Sequence, residues 1–182
     1  VKYKWPNALV HFEDFQVEYG LKIIKRYRNN HLVYNDCISG TAATILSGIL
    51  SALRIQGHPQ RKILDLKFVI AGDGNAGMGI VYNLHLFLPN YGLTSKEANE
   101  KFFIINSEGL VTGKLKNMRE RVKPYAREDT SLQGLSLEDV IKRFKPNVLI
   151  GTTGIQGLFT KDILEAMPND GEIPPMIFPL SN

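Results

Sequence analysis

The feature that most constrains this chain is the run Gly72-Asp73-Gly74-Asn75-Ala76-Gly77, set directly after Lys67-Phe68-Val69-Ile70-Ala71. The earlier run is short, almost wholly apolar and β-branched, the pattern of a strand buried on both faces. The residues that follow, about 76 to 88, read as a helix. A G-x-G-x-x-G run between a strand and a helix gives each glycine a physical task. Gly72 allows the tight turn out of the strand. Gly74 lets the backbone approach a pyrophosphate with no Cβ in the way. Gly77 lets the new helix pack on the sheet. The helix start then offers unpaired N–H groups and a positive dipole end to phosphates. Gly72, Asp73, Gly74, Asn75, Ala76 and Gly77 are therefore the candidate cofactor-binding residues.

The rest of the chain alternates in type around this turn. Residues 12–29 read as an amphipathic helix, with Val17, Leu21, Ile24 and Tyr27 on one stripe. Residues 31–34 read as a short extended piece. Residues 40–56 read as a helix with Ala42, Ile45, Ile49 and Leu53 on its apolar face. Ala43, Ser47, Gly48 and Ser51 on it are small enough for another element to pack close. Beyond the glycine turn, Thr94-Ser95-Lys96-Glu97 carries the capping-box pattern of a short helix. Strands are expected at 102–105, 148–150 and 176–178, and helices at 136–145 and 160–167. Residues 107–134 are polar and lack a clear period. Strands alternating with helices imply a parallel sheet with helices on its faces, an α/β fold of Rossmann type. A helical segment, residues 1–60, is expected to precede a nucleotide-binding domain at 61–182.

After the second strand an acidic residue normally holds the ribose hydroxyl. Here the first polar residue is Asn106, which can bond a hydroxyl without charge assistance. Ser107, Arg121 and Lys123 are able to accommodate a 2′-phosphate or to lie in solvent. The choice between NAD and NADP stays open.

Composition excludes several classes. The chain has 182 residues, is 43% hydrophobic and 22% charged, and carries a net charge of +4. That balance suits an ordinary globular core. Its looser basic cluster, from Lys114 to Arg127, includes Glu120 and is followed by Glu128 and Asp129, so it reads as a solvated loop and not as a nucleic-acid surface. The single cysteine, Cys37, rules out an intrachain disulfide and fits a reducing compartment. No apolar run approaches the roughly 18 residues of a membrane span, so no membrane partner is expected. Both ends read as cut from a longer chain, since there is neither an initiator Met nor a signal-peptide shape.

Further motifs flank the glycine turn. They are Val10-His11-Phe12-Glu13-Asp14-Phe15, Lys25-Arg26-Tyr27-Arg28, Asn35-Asp36 with Gly40-Thr41-Ala42, Leu50-Ser51-Ala52-Leu53-Arg54, Ser107-Glu108-Gly109-Leu110 and Lys145-Pro146. Ile150-Gly151, Leu158-Phe159-Thr160 and Phe178-Pro179-Leu180-Ser181-Asn182 complete the set. In this order and spacing the chain resembles the malic enzymes over essentially its whole length. The resemblance implies oxidation of L-malate with NAD or NADP and decarboxylation to pyruvate and CO2, aided by Mg²⁺ or Mn²⁺ as a Lewis acid. Glu13 and Asp14 match two of the family's metal carboxylates. Asp36 matches the Asp that supports the catalytic Lys, Asn182 a substrate-binding Asn, and Thr152, Thr153 and Gly154 a cofactor-contacting turn.

The chain also departs from the family. The third metal carboxylate is replaced by Cys37, a soft ligand for a hard ion. The family's Gln two residues further on is Ser39, and its ribose-binding Asp is Asn106. The general-acid Tyr and general-base Lys belong to an N-terminal part that these residues do not match. The chain therefore resembles about a third of such an enzyme, and as an isolated piece is expected to be inactive. The family also implies a homo-oligomer in the full-length protein and an intracellular site, in cytosol or mitochondrial matrix.

Overall fold

The structure is a computed structural model that describes residues 1–13, 15, 17–169 and 171–180. Asp14 and Asn182 lie outside the described residues.

The chain opens with β1 (Val10–His11), α1 (Val17–Tyr27) and β2 (Val33–Tyr34). A π-helical turn, Asp36–Gly40, leads into α2 (Thr41–Ile55). Then come β3 (Phe68–Ala71), α3 (Asn75–Phe87), α4 (Ser95–Asn99), β4 (Phe102–Asn106) and β5 (Gly109–Leu110). The last elements are α5 (Leu137–Phe144), β6 (Val148–Gly151), α6 (Lys161–Ala166) and β7 (Met176–Pro179). The main sheet has the order β5-β4-β3-β6-β7. All its pairs are parallel except β4 with the short edge strand β5.

Strand β3 is central, and all of its residues are buried. Its side chains alternate between two cores, as strand geometry requires. Phe68 and Ile70 pack with Ile45, Ile49 and Leu53 of α2 and with Ile80 and Leu84 of α3. Val69 and Ala71 pack on the other face with Val140, Ile141 and Ile163 of α5 and α6. The sheet thus has helices on both sides, the α/β Rossmann-type architecture expected.

Four differences from expectation have local causes. Helix α1 begins five residues later than expected, because Val10 and His11 are extended and pair with Val33 and Tyr34. Residues 36–40 wind as a π turn, capped by the buried Asn35, whose Oδ1 accepts from the Ile38 N–H at 3.0 Å. Residues 107–134, read as polar and without a clear period, also contribute to the core. Val111, Val122, Tyr125 and Leu132 are buried there, and Thr112 Oγ1 donates to Gln133 Oε1 at 2.8 Å. Finally, the continuous helical stretch Asp36–Ile55 has 20 residues and is long and apolar enough to cross a membrane by length and composition, contrary to the sequence expectation. Its face Ala42, Ile45, Ile49 and Leu53 packs in the sheet's core, and Gly48 abuts the ring of Phe178, at 2.9 Å from where its Cβ would stand.

Candidate functional site

The site is built where β3 ends. Ala71 lies opposite Gly151, the last residue of β6, and β4 flanks β3 on the other side. The chain therefore leaves β3 at the point where strand order reverses, where open α/β sheets form a crevice at their carboxyl edge.

The three glycines divide their work as the spacing requires. Gly72 has φ +121°, and a Cβ on it would stand 2.4 Å from Thr152 Oγ1. A Cβ on Gly77 would stand 2.0 Å from the Gly72 carbonyl oxygen and 2.8 Å from Thr152 Oγ1. A Cβ on Gly74 would meet nothing within 4 Å. The first two glycines are demanded by the protein's own packing, and the third faces open space. Gly74 is also the N-cap of α3 and offers no side-chain cap. The first N–H groups of this helix therefore receive no bond from a capping side chain, an arrangement suited to a pyrophosphate. The residues present fit a dinucleotide.

Thr152, Thr153 and Gly154 form the neighbouring wall. Thr152 N–H donates to the Ala71 carbonyl at 2.8 Å, its hydroxyl donates to the same carbonyl at 3.2 Å, and Thr153 Oγ1 accepts from Ile155 N–H at 3.1 Å. Asn106 closes β4, and its Oδ1 accepts from Glu108 N–H at 2.8 Å. That bond uses the oxygen of the side chain and leaves the amide N–H groups as its donors.

Two arginines hold the glycine turn: Arg119, which the sequence reading did not single out, and Arg121, considered there only for a 2′-phosphate or for solvent. Arg119 Nη1 donates to Asp73 Oδ1 at 2.8 Å. Arg121 Nη1 donates to Asn75 Oδ1, and Nη2 to the Asp73 carbonyl, both at 2.8 Å. The basic segment thus folds back on the turn. The signal available in the sequence was the pair of acceptor side chains, Asp73 and Asn75, at the variable positions of the motif.

On the acidic side His11 joins Tyr34 and Asp36. The pairing of β1 with β2 places His11 beside Tyr34, and the two rings stack at 4.4 Å with 12° between their planes. From there His11 Nε2 lies 2.7 Å from Asp36 Oδ1. This bond, with help from the Cys37 backbone N–H, holds the Asp36 carboxyl below its ordinary range against the opposing effect of desolvation. The π turn itself sits against α3, where a Cβ on Gly79 would stand 2.7 Å from the Ile38 carbonyl. A glycine inside an apolar helix is the sequence sign of such an approach.

The described donors among the metal positions suit Mg²⁺ or Mn²⁺ poorly. Glu13 is exposed, Asp36 is engaged by His11, and Cys37 presents a soft sulfur. Among the described residues no group of three or more His, Cys, Asp or Glu could hold a metal ion.

Comparison with known proteins places the chain. The family described as the malic enzyme NAD binding domain matches residues 38–182. The mitochondrial NAD-dependent malic enzyme of Solanum tuberosum is 37% identical, over 98% of this chain and 30% of its own length. The NADP-dependent malic enzyme of Dictyostelium discoideum is 36% identical, over 98% of this chain and 32% of its own. The chain thus spans about a third of the length of these relatives. The crystal structure of the NAD-dependent malic enzyme of Thermotoga maritima superposes with a TM-score of 0.69 at 21% identity, over 94% of this chain and 42% of that one, which shows a shared fold. With its glycine turn, sheet order and family match taken together, the chain belongs to the malic enzyme family and carries that family's NAD-binding domain.

Proposed function

We propose that this chain is the hydride-acceptor side of a longer enzyme that oxidises L-malate with NAD or NADP and decarboxylates the product to pyruvate and CO2. The observation that carries the reading is the glycine turn, closed by packing at Gly72 and Gly77 and open at Gly74, on the uncapped start of α3. The dinucleotide, when bound, supplies the hydride acceptor. The N–H groups at Asn75, Ala76 and Gly77 receive its pyrophosphate. The Asn106 amide donates to the ribose, and Thr152, Thr153 and Gly154 line the neighbouring edge. Asp36 acts as a positioning residue, and Asn182 as a substrate-binding residue.

Glu13, Asp14 and Cys37 keep their assignment as the metal positions of the resemblance, yet the described donors suit a hard cation poorly, so no step is routed through a metal. In this reading residues 1–60 serve the substrate side and residues 61–182 the cofactor side. The division is one of role, because α2 shares a core with β3 and α3. The reading also includes a homo-oligomer of the full-length chain in cytosol or mitochondrial matrix, with neither nucleic acid nor membrane as partner, and an isolated fragment that does not turn over malate.

One observation favours a second reading. Cys37 in place of a carboxylate, beside an Asp36 already bound to His11, suits a dinucleotide-binding relative that has lost the metal-dependent chemistry. The test is malate-dependent reduction of NAD and NADP by the full-length protein, with Mn²⁺ titrated. Turnover supports the first reading. Dinucleotide binding without turnover at saturating Mn²⁺ selects the second.

A further inference from the structure

The carbonyl of Phe15 lies two residues beyond Glu13, in the stretch assigned to the substrate side. It accepts a hydrogen bond from Asn75 Nδ2 at 3.0 Å. The other end of the same side chain, Oδ1, accepts from Arg121 Nη1 at 2.8 Å, and Arg121 also holds the Asp73 carbonyl. Asn75 is the first residue of α3, inside the glycine turn. One amide group therefore ties three segments together: the acidic stretch, the cofactor turn and the basic loop.

The neighbouring helix makes room for this amide. Gly20 of α1 is buried, and a Cβ on it would stand 3.2 Å from Asn75 Nδ2. A methyl group there would press on the amide, which would have to shift by a few tenths of an ångström against its bond to Phe15. Alanine is the better helix former by about 1 kcal/mol, so a glycine as the fourth residue of α1 is explained by packing and not by local preference. An amide is also the side chain suited to the task, since it donates at one end and accepts at the other. A carboxylate at position 75 would keep the bond from Arg121 and lose the bond to Phe15.

We infer that Asn75 is a positioning residue that couples dinucleotide binding at the glycine turn to the backbone of Phe15 and the start of α1. The inference rests on the proposed seat of the dinucleotide. A pyrophosphate on the first N–H groups of α3 fixes the backbone of residue 75, and the side chain passes that restraint to Phe15. The substrate side is then ordered when the cofactor is in place.

The test is amide hydrogen exchange of the full-length protein with and without saturating NADH, followed over residues 17–24, with NADPH as the parallel ligand. In the wild type NADH slows exchange there by about fivefold, the worth of one ordinary net hydrogen bond. Asn75→Ala, Asn75→Asp and Gly20→Ala each abolish this slowing while thermal midpoints stay near that of the wild type. Gly20→Ala leaves every polar group in place, so its loss of coupling reports geometry alone. Variants that bind NADH and still show the wild-type slowing overturn the coupling and leave the cofactor reading standing. A wild type that binds neither nucleotide overturns the cofactor reading, and the coupling with it.

Discussion

A Cβ on Gly77 would stand 2.0 Å from the carbonyl oxygen of Gly72, five residues earlier. That oxygen belongs to backbone held by the end of β3, whose Gly72 N–H donates to the Ile105 carbonyl at 2.8 Å. Neither side can yield, so the start of α3 must move if residue 77 gains a side chain. Gly77→Ala is expected to destabilise the fold by about 1–3 kcal/mol, the usual range for overpacking. Gly74→Ala meets nothing within 4 Å and sits at φ −71°, so it is expected to cost only the N-cap preference for glycine, under about 1 kcal/mol. Thermal denaturation of the two variants side by side checks the contrast.

The ribose position invites a gain-of-binding test. Asn106 Oδ1 already accepts from Glu108 N–H. Aspartate keeps that bond with one oxygen and offers the other, charged, to a ribose hydroxyl. Bonds to charged groups exceed neutral ones by about 1 kcal/mol, so Asn106→Asp is expected to tighten NADH binding by about fivefold. The same charge repels a 2′-phosphate, so NADPH binding should weaken. Paired titrations with the two nucleotides measure both arms, and equal shifts for both would refute the placement of the ribose.

At position 37 the argument is one of ligand hardness. Replacing the thiol with a carboxylate removes the mismatch with a hard cation. Cys37→Asp in the full-length protein is expected to lower the Mn²⁺ concentration needed for half-saturation, read by the loss of free-ion signal in electron paramagnetic resonance. An unchanged Mn²⁺ dependence would sink the assignment of position 37 to the metal.

The bond between His11 and Asp36 has a pH signature. Its largest effect on Asp36 is to lower the carboxyl from its ordinary value of 3.8. In the folded chain the group gives up its proton more readily than in the unfolded chain. The stabilisation is therefore complete above that ordinary value and fades as pH falls through the lower folded one. His11→Ala removes the imidazole that bonds the carboxyl, and is expected to move the Asp36 titration up toward the ordinary range. Nuclear magnetic resonance of the carboxyl carbon follows it directly.

What could be read from the sequence was local. Phe68–Ala71 and the glycine turn were legible because a doubly buried strand and its tight exit are written in consecutive residues. The caps of α4, α5 and α6 were legible for the same reason, since Thr94, Ser136 and Thr160 each bond an N–H three residues on. The start of α1 was misplaced because the pairing of Val10 with Val33 spans a whole helix. Residues 107–134 were hidden because their order depends on distant single contacts. Arg127, for example, lies over the ring of Phe103 at 4.7 Å and donates to the Glu100 carbonyl. The links from Arg119 to Asp73 and from His11 to Asp36 join residues far apart in the chain, and no periodic pattern announces them.

The central claim is that a dinucleotide seats its pyrophosphate on the turn at Gly72, Gly74 and Gly77. The most direct measurement is an equilibrium titration of the full-length protein with NADH, read by nicotinamide fluorescence, for the wild type and for Gly74→Ala. The account predicts saturable binding by the wild type, weakened by about tenfold or more in the variant, because a methyl group there obstructs the approach of the phosphates to the backbone. Absence of saturable binding by the wild type, or equal affinity in the two proteins, would contradict it.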